Sequence, residues 1–492
     1  MITPSQYQKD ILDFVESDYR NLIVNAVPGS GKTTTVVMAL KKAYGKSIAT
    51  AFNKAIETEL SEKAPKYAKV KTLNALGHGL LCRNYDHVRI NKNKFYNSIK
   101  KYEDDTDEKI PFKMVSPLKT FFDKCRSYGF GINIKLTQEN LDKYFSFFQI
   151  DLDLKEGEDE AGVKAFFFRV FKEVFILHNS DESEFDFNDQ IYFPVLKNIT
   201  AWKYDNIFVD EAQDISPIQL SLVELFCNDT TRLFFVGDRN QSIYAFRGAD
   251  HRSMDTIKEK FKCTEMPLSI SYRCPEKVLS YLKVYTPEME GKDNNEEGTV
   301  DSASYSPEMK FPEDSLILCR TNAPLVKVGT DLLARGQNVS LNNPELRDKL
   351  LTFVKTCKNY SMTRILELAR DEYKRWEKAS ALRKDLWYKA LEYQEIYQSL
   401  NSFIDISDDT NGLISNIDKM FTYRTGCVQL LTVHKAKGLE SDNVYIINDE
   451  LFSKFGKTDD ELAQEKNCRY VALSRSKKNL TFLEVPMFTK KD

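Results

Sequence analysis

Two short blocks carry residue types that together can bind and split a nucleoside triphosphate. In Ala26-Val27-Pro28-Gly29-Ser30-Gly31-Lys32-Thr33, the glycines let consecutive backbone N–H groups converge on phosphate oxygens, because a Cβ there would block the approach. Lys32 is long enough to reach the outer phosphates, the Thr33 hydroxyl can ligate Mg²⁺, and Thr34 follows them. The first position is Ala26 where the strict pattern has Gly. Far downstream, Ile207-Phe208-Val209-Asp210-Glu211 is an apolar run ending in two carboxylates. That places them at the carboxyl edge of a parallel strand, where open α/β sheets hold ligands. Either block alone has a plainer reading, a chance glycine-rich loop or a solvated acidic turn after a core strand. Their joint occurrence implies nucleotide hydrolysis.

These residues need a strand, a loop and a helix in that order. Residues 21–25 read as a buried strand and 33–43 as a helix whose N-terminus faces the anion. Short apolar runs near Ile48, Val70, Ile207 and Leu233, separated by helical stretches, add an α/β pattern with a parallel sheet. A second set follows, with strands at 315–319, 428–433, 443–447 and 480–485 and a helix over 460–476. The expected fold class is α/β, with two parallel-sheet cores, each interrupted by a mainly helical insertion. Core 1 is expected at 1–82 and 200–266 with its insertion at 83–199, and core 2 at 267–339 and 426–492 with its insertion at 340–425. Within the first insertion, Phe166, Phe167, Phe168, Phe171 and Phe175 recur at helical spacing and read as core. In the second, residues 363–400 have helical composition with acids and bases interleaved, the pattern of a solvated face. Residues 287–298, rich in Asn, Glu and Gly, read as a surface loop.

Length and composition bound the rest. A chain of 492 residues with 42% hydrophobic and 29% charged residues has ample material for several globular domains. No apolar run approaches the roughly 18 residues of a membrane span, and the N-terminal residues carry neither a basic start nor an apolar segment, so a cytoplasmic protein with no membrane partner is expected. The nine cysteines show no metal-ligand or CxxC spacing and read as reduced core thiols. A net charge of −3 does not by itself announce a nucleic-acid partner, although a basic groove can sit on an acidic molecule.

Five further blocks, collinear with the first two, resemble the motif set of superfamily 1 DNA helicases of the UvrD/Rep type, and the resemblance touches most of both cores. Gln8, ahead of the phosphate loop, is similar to the family's adenine-reading glutamine, whose amide can pair with both the exocyclic amine and N7. The stretch from Val236 to Ala249 is close to the third motif, in which Gln241 would sense the γ-phosphate and Phe246, beside Arg247, would offer an aromatic face to a DNA base. Tyr272-Arg273 resembles a pair that stacks on adenine and contacts the γ-phosphate, Glu440 an acid that approaches the ribose, and Arg475 a further arginine. With Lys32 on the phosphates, Thr33 and Asp210 on Mg²⁺ and Glu211 on the attacking water, the resemblance implies two RecA-like cores whose arginines complete one ATP site.

The DNA-facing blocks depart most from the family. Phe52-Asn53 has its aromatic displaced by one position, and Thr72-Leu73-Asn74 stands where relatives carry an aromatic and an imidazole. Arg239-Asn240 replaces an acidic pair, Thr34 replaces an arginine, and His434 reads as a DNA contact, as a relay between sites or equally as a structural histidine. What the resemblance implies is a compact, monomeric ATP- and Mg²⁺-dependent helicase or translocase, in a bacterial or phage-infected cell, moving 3′ to 5′ on single-stranded DNA and splitting tailed or forked duplex. A DNA-stimulated ATPase that remodels protein–DNA complexes, and a small-molecule ATPase or kinase, remain open at this point.

Overall fold

Strands that are apolar on both faces have to be covered by helices on both sides, and two such parallel sheets organise this chain. The structure, a computed structural model, describes residues 3–152, 154, 158–243, 252–382, 387–454 and 459–486. The chain divides into two units, Met1–Ala26 with Gly31–Ser269, and Val27–Ser30 with Ile270–Asp492.

The first unit opens with α1 (Gln6–Ser17), β1 (Leu22–Ala26), α2 (Lys32–Lys42), β2 (Ser47–Ala51), α3 (Lys54–Lys63), β3 (Lys69–Thr72) and α4 (Leu73–Asn84). Five helices of the insertion follow: α5 (Lys94–Thr106), α6 (Phe112–Ser127), α7 (Gln138–Phe147), α8 (Glu160–Ser180) and α9 (Asp189–Leu196). The chain then returns through β4 (Asn206–Val209), α10 (Pro217–Leu225), β5 (Arg232–Gly237), α11 (Ser253–Phe261) and β6 (Thr264–Leu268). Strand order is β3-β2-β4-β5-β1-β6, and every pairing is parallel. Several helix starts are written in local chemistry. Ser5 and Ser216 each form a reciprocal capping box with the glutamine three residues on, Gln8 and Gln219. Phe167, Phe168, Phe171 and Phe175 of α8 are buried against Phe121 and Phe122 of α6, so the phenylalanine run does build the insertion's core.

The second unit begins with β7 (Ile270–Ser271), α12 (Glu276–Leu282), β8 (Glu290–Gly291), β9 (Thr299–Ser304), β10 (Leu316–Cys319), α13 (Ala323–Ala334) and β11 (Val339–Leu341). Then come α14 (Pro344–Thr356), α15 (Met362–Leu382), α16 (Trp387–Ile404), α17 (Thr410–Met420), β12 (Val428–Thr432), α18 (Val433–Ala436), β13 (Ser441–Ile447), α19 (Asp459–Leu473) and β14 (Ser476–Glu484). Its sheet has the order β11-β12-β10-β13-β14-β9, again wholly parallel. α15 and α16 run antiparallel, with Tyr373 stacked on Tyr397 and Trp376 on Tyr393 at centroid distances of 6.1 and 6.0 Å.

Two expectations need correction. The helix expected over 460–476 ends at Leu473, and β14 already begins at Ser476. The turn between them is held by the Arg475 side chain, which donates to the carbonyls of Val471 and Leu439 and to Ser474 Oγ. The loop at 287–298 contains β8, which pairs with β7 through Glu290 and Gly291. All nine cysteines are free, and most are buried. Among the described residues no helix is long and apolar enough to cross a membrane.

Candidate nucleotide site and nucleic-acid groove

In the first unit β4, β5 and β1 are neighbours and parallel, so the segments leaving their carboxyl ends converge on one edge of the sheet. The segment after β1 is the phosphate loop, with Gly29 and Gly31 at φ of +68° and +79°, a left-handed conformation that residues with a Cβ rarely adopt. Gly31 is also the N-cap of α2, whose first backbone N–H groups lack intrahelical acceptors and favour an anion. Lys32, Thr33 and Thr34 form the first turn of that helix and are half-buried.

The segment after β4 brings Asp210 to the loop. Thr33 Oγ1 donates to Asp210 Oδ2 at 3.3 Å, and the Glu211 N–H donates to Asp210 Oδ1 at 2.9 Å. Glu211 has φ +52°, ψ +43°, a left-handed conformation that costs a non-glycine residue about 1–2 kcal/mol. Burial, and then the Glu211 carboxylate, push Asp210 up to about 7, against the opposing pull of Lys32. The segment after β5 contributes Asp238, which burial pushes up to about 6, again against Lys32. Gln241, buried as well, donates its side-chain amide to Asp238 Oδ2 at 2.8 Å. A hydroxyl and a carboxylate are the hard oxygen donors that Mg²⁺ takes, and a divalent cation would offset the burial and the Glu211 repulsion that raise Asp210. The donor set therefore fits the ion.

Gln8 sits beside Gly31, buried, with Oε1 accepting from the Ser5 N–H and Nε2 donating to Thr35 Oγ1, each at 3.0 Å. Arg239, in place of the acidic pair, forms ion pairs with Asp255 at 2.5 Å and Glu265 at 2.9 Å. Its charge is thus balanced by α11 and β6.

In the second unit, Arg273, Glu440 and Arg475 lie together at the amino-terminal edge of the sheet, just ahead of β13 and β14. Arg273 Nε stands 2.6 Å from Glu440 Oε2, and its Nη1 donates to the Ser474 carbonyl at 3.3 Å. Arg475 is fully buried, whereas Tyr272 is exposed. Within this unit the Pro28 carbonyl accepts from Ser271 Oγ at 2.8 Å, the Gly29 carbonyl accepts from the Tyr272 N–H at 2.9 Å, and Ser30 is buried. His434, on α18 at the carboxyl end of β12, contacts the buried Cys468 Sγ at 3.6 Å.

The remaining candidates flank the phosphate cluster on the first sheet. Phe52 and Asn53 follow β2, and Thr72 ends β3. Asn53 and Thr72 cap α3 and α4, accepting from the N–H groups of Ile56 and Ala75. Phe52, 40% exposed, lines a cavity of about 530 Å³ between this sheet edge and the insertion. Phe187, 64% exposed, and Lys124 line the same cavity. Phe246 and Arg247 lie outside the described residues.

Sequence reasoning missed three residues here. Asp238 ends an apolar run just as Asp210 does, so the same signal was present in Leu233–Gly237. Phe187 was hidden in an aromatic-rich insertion where phenylalanine signifies core. Gln213 bridges segments that only the fold brings together, and nothing local announces it.

One other cluster of ionisable groups lies under the groove. Arg126 Nη1 pairs with Asp186 at 3.0 Å and its Nη2 with Asp189, Lys94 pairs with Asp189 at 2.9 Å, and His178 Nε2 is 3.3 Å from Asp186. His178, Asp186 and Asp189 bring potential ligand atoms within 4.8 Å of one another. Two cations already balance the two carboxylates, so the cluster is a buried strut and not a metal site. Burial is the largest influence and would raise Asp186 and Asp189, but the Arg126 guanidinium and hydrogen bonding to His178, joined by the Asp189 N–H at Asp186 and by Lys94 at Asp189, together outweigh it and hold both below the ordinary carboxylate range.

A phosphate loop, a hydrogen-bonded Thr–Asp pair and clustered carboxylates on the central strands of a parallel sheet define a RecA-like, phosphate-loop nucleotide-binding protein. Comparison with known proteins narrows the class. Residues 7–262, more than half of the chain, match the UvrD/REP helicase N-terminal domain, and the chain belongs to that family. Residues 370–484 match the viral superfamily 1 RNA helicase core domain. A probable DNA helicase II homolog of Mycoplasma pneumoniae is 25% identical over 402 residues, covering 59% of this chain and 55% of that protein. F-box DNA helicase protein 1 of Schizosaccharomyces pombe is 26% identical over 304 residues, 56% of this chain and 34% of that protein. DNA helicase II of Escherichia coli is 37% identical over 79 residues, 16% and 11% of the two chains. The chain spans about half the length, or less, of these curated relatives.

Proposed function

We propose that this protein is an ATP-dependent DNA helicase or translocase that moves 3′ to 5′ on single-stranded DNA as a monomer and separates tailed or forked duplex. The observation that carries the reading is the convergence of Thr33, Asp210 and Glu211 beside the phosphate loop in a chain of the UvrD/REP family. Lys32 holds the outer phosphates, and Thr33 and Asp210 hold Mg²⁺, which supplies charge neutralisation to the phosphates when bound. Glu211 orients and deprotonates the attacking water, and Gln241 senses the γ-phosphate. Gln8 and Tyr272 bind adenine, Glu440 approaches the ribose, and Pro28, Gly29, Ser30, Gly31 and Thr34 complete the nucleotide cradle.

In this reading Arg273 and Arg475 add positive charge to the transferring phosphoryl group. Arg273 has first to release Glu440, to which it is paired at 2.6 Å. The motor consists of core 1 (1–82 and 200–266), core 2 (267–339 and 426–492) and the insertions at 83–199 and 340–425. ATP binding and release alternate the grip of the cores on the strand. Phe52, joined by Phe187 in the groove and by Phe246, stacks on bases, while Asn53, Thr72, Arg247 and His434 make polar contacts to the strand.

The test uses the whole chain with ATP and Mg²⁺ on duplexes bearing a 3′ or a 5′ single-stranded tail. The expected result is hydrolysis stimulated by single-stranded DNA, with displacement of the 3′-tailed duplex. Stimulated hydrolysis without displacement on either tail would replace the helicase with a remodelling ATPase. Hydrolysis indifferent to DNA would overturn the reading altogether.

A further inference from the structure

Gln213 is fully buried, and its side chain is used at both ends. Its Nε2 donates to Glu211 Oε2, at the end of β4. Its Oε1 accepts from the Asp238 N–H at 3.0 Å, at the end of β5. The backbone is pinned as well, since the Gln213 carbonyl accepts from Ser253 Oγ at 2.8 Å and Ser242 Oγ at 3.3 Å. Room for this arrangement depends on Gly237, where an added Cβ would lie 2.5 Å from Gln213 Oε1 and 3.1 Å from Gln213 N. The amide is a rigid strut between two strand ends that are otherwise separate loops.

We propose that Gln213 is a positioning residue for hydrolysis. It holds the Glu211 carboxylate in place and ties it to the turn that carries Asp238 and Gln241, so that movement of that turn moves Glu211. Glu211 stands on a left-handed backbone, which aims its side chain at one place but leaves the distal torsions free. A buried amide N–H donated to its carboxylate removes that freedom, and an error of about 1 Å in a catalytic group costs on the order of 100-fold in rate. Gln241 donates to Asp238 Oδ2 and Gln213 accepts from Asp238 N–H, so the proposed γ-phosphate sensor and the proposed water-orienting carboxylate share one relay, Gln241–Asp238–Gln213–Glu211. This rests on the assignment of Glu211 made above.

The experiment uses the whole chain with Gln213→Met, which keeps the volume and removes the amide, and Gln213→Asn, which keeps the amide but is one methylene too short to span both partners. Each is combined with Glu211→Gln. The readouts are single-turnover and steady-state ATP hydrolysis with single-stranded oligothymidylate, the Kd of a non-hydrolysable ATP analogue, and the melting temperature. The expected result is a loss in kcat of about 10- to 100-fold for both variants with analogue Kd within about twofold. In the Glu211→Gln background either substitution should lower the residual rate by less than about twofold, because no carboxylate is left to position. Gln213→Asn keeps the test valid should Gln213→Met melt early. A kcat within about twofold of the parent, a parallel loss of analogue affinity, or a full multiplicative loss in the Glu211→Gln background would overturn the positioning role. Near-normal hydrolysis by Glu211→Gln alone would instead overturn the assignment of Glu211.

Discussion

The first unit buries two clusters of charged side chains, and their carboxylates are driven in opposite directions. Around Arg126 and Lys94 the acids Asp186 and Asp189 are matched by two cations, and they sit below the ordinary carboxylate range. At the phosphate loop Asp210, Glu211 and Asp238 crowd together, Lys32 is the cation that opposes the rise of both aspartates, and Asp210 and Asp238 still rise to about 7 and 6. Burial is comparable, so the difference lies in charge balance. A balanced cluster is scaffold: it holds α5, α6 and the start of α9 together and gains from every partner it has. A carboxylate-rich cluster works against the stability of its own fold, which is the pattern of a site shaped for a cation and a reaction.

The comparison can be broken by removing one acid from each side. Asp210→Asn is expected to cut Mg²⁺-dependent ATP hydrolysis by at least about 100-fold, since it takes away the proposed metal ligand. Its urea midpoint should be no lower than the parent's, because a repulsion is relieved. A clear loss of stability would place Asp210 with the scaffold. Asp189→Ala should do the reverse, destabilising by about 3–5 kcal/mol in urea because Arg126 and Lys94 are left buried without their partner. A loss under about 1 kcal/mol would mean that the strut carries little.

Two smaller effects sharpen the contrast. Gly237→Ala forces Gln213 aside and should cost about 1–3 kcal/mol together with a fall in kcat. Unchanged turnover would show that the strut tolerates displacement. The pH dependence of stability should carry opposite slopes from the two clusters. Asp186 and Asp189 bind fewer protons when folded, so their contribution is present above the unfolded value of about 3.9 and is lost as the pH falls through their depressed folded values. Asp210 and Asp238 bind more protons when folded. Their contribution is full below about 3.9 and declines as the pH rises towards about 7. Urea unfolding from pH 3 to 8 should therefore show a shallower acid limb in Asp189→Ala, where only Asp186 remains, and flatten between pH 4 and 7 in Asp210→Asn.

What could be read from residues alone follows the same division between local and non-local physics. Strands buried on both faces announce themselves as apolar runs, and the run from Leu22 or Ile207 leads directly to the loop or the carboxylate at its end. The phosphate loop is legible because glycine, lysine and threonine act through their own backbone neighbourhood. The end of α19 was not, because helical composition continues through Ser474 and Arg475 while the tertiary environment buries Arg475 and turns the chain. Gln213, Arg126 and Asp189 were not legible either, since each acts on residues brought to it only by sheet order or helix packing. Asn53 and Thr72 show a further reason, for their side chains cap α3 and α4, a local role that leaves a second, non-local use of the same oxygen without any signature in the sequence.

The central claim is that the carboxylate-rich cluster, and not the balanced one, is where a nucleoside triphosphate is hydrolysed. Lys32→Ala tests it most directly, because Lys32 is the cation opposing both raised acids and the proposed phosphate ligand. Measured as phosphate release from ATP with Mg²⁺ and single-stranded DNA, alongside the circular-dichroism melt, the variant should lose hydrolysis while its fold is retained. Near-normal turnover in a folded Lys32→Ala protein would contradict the account.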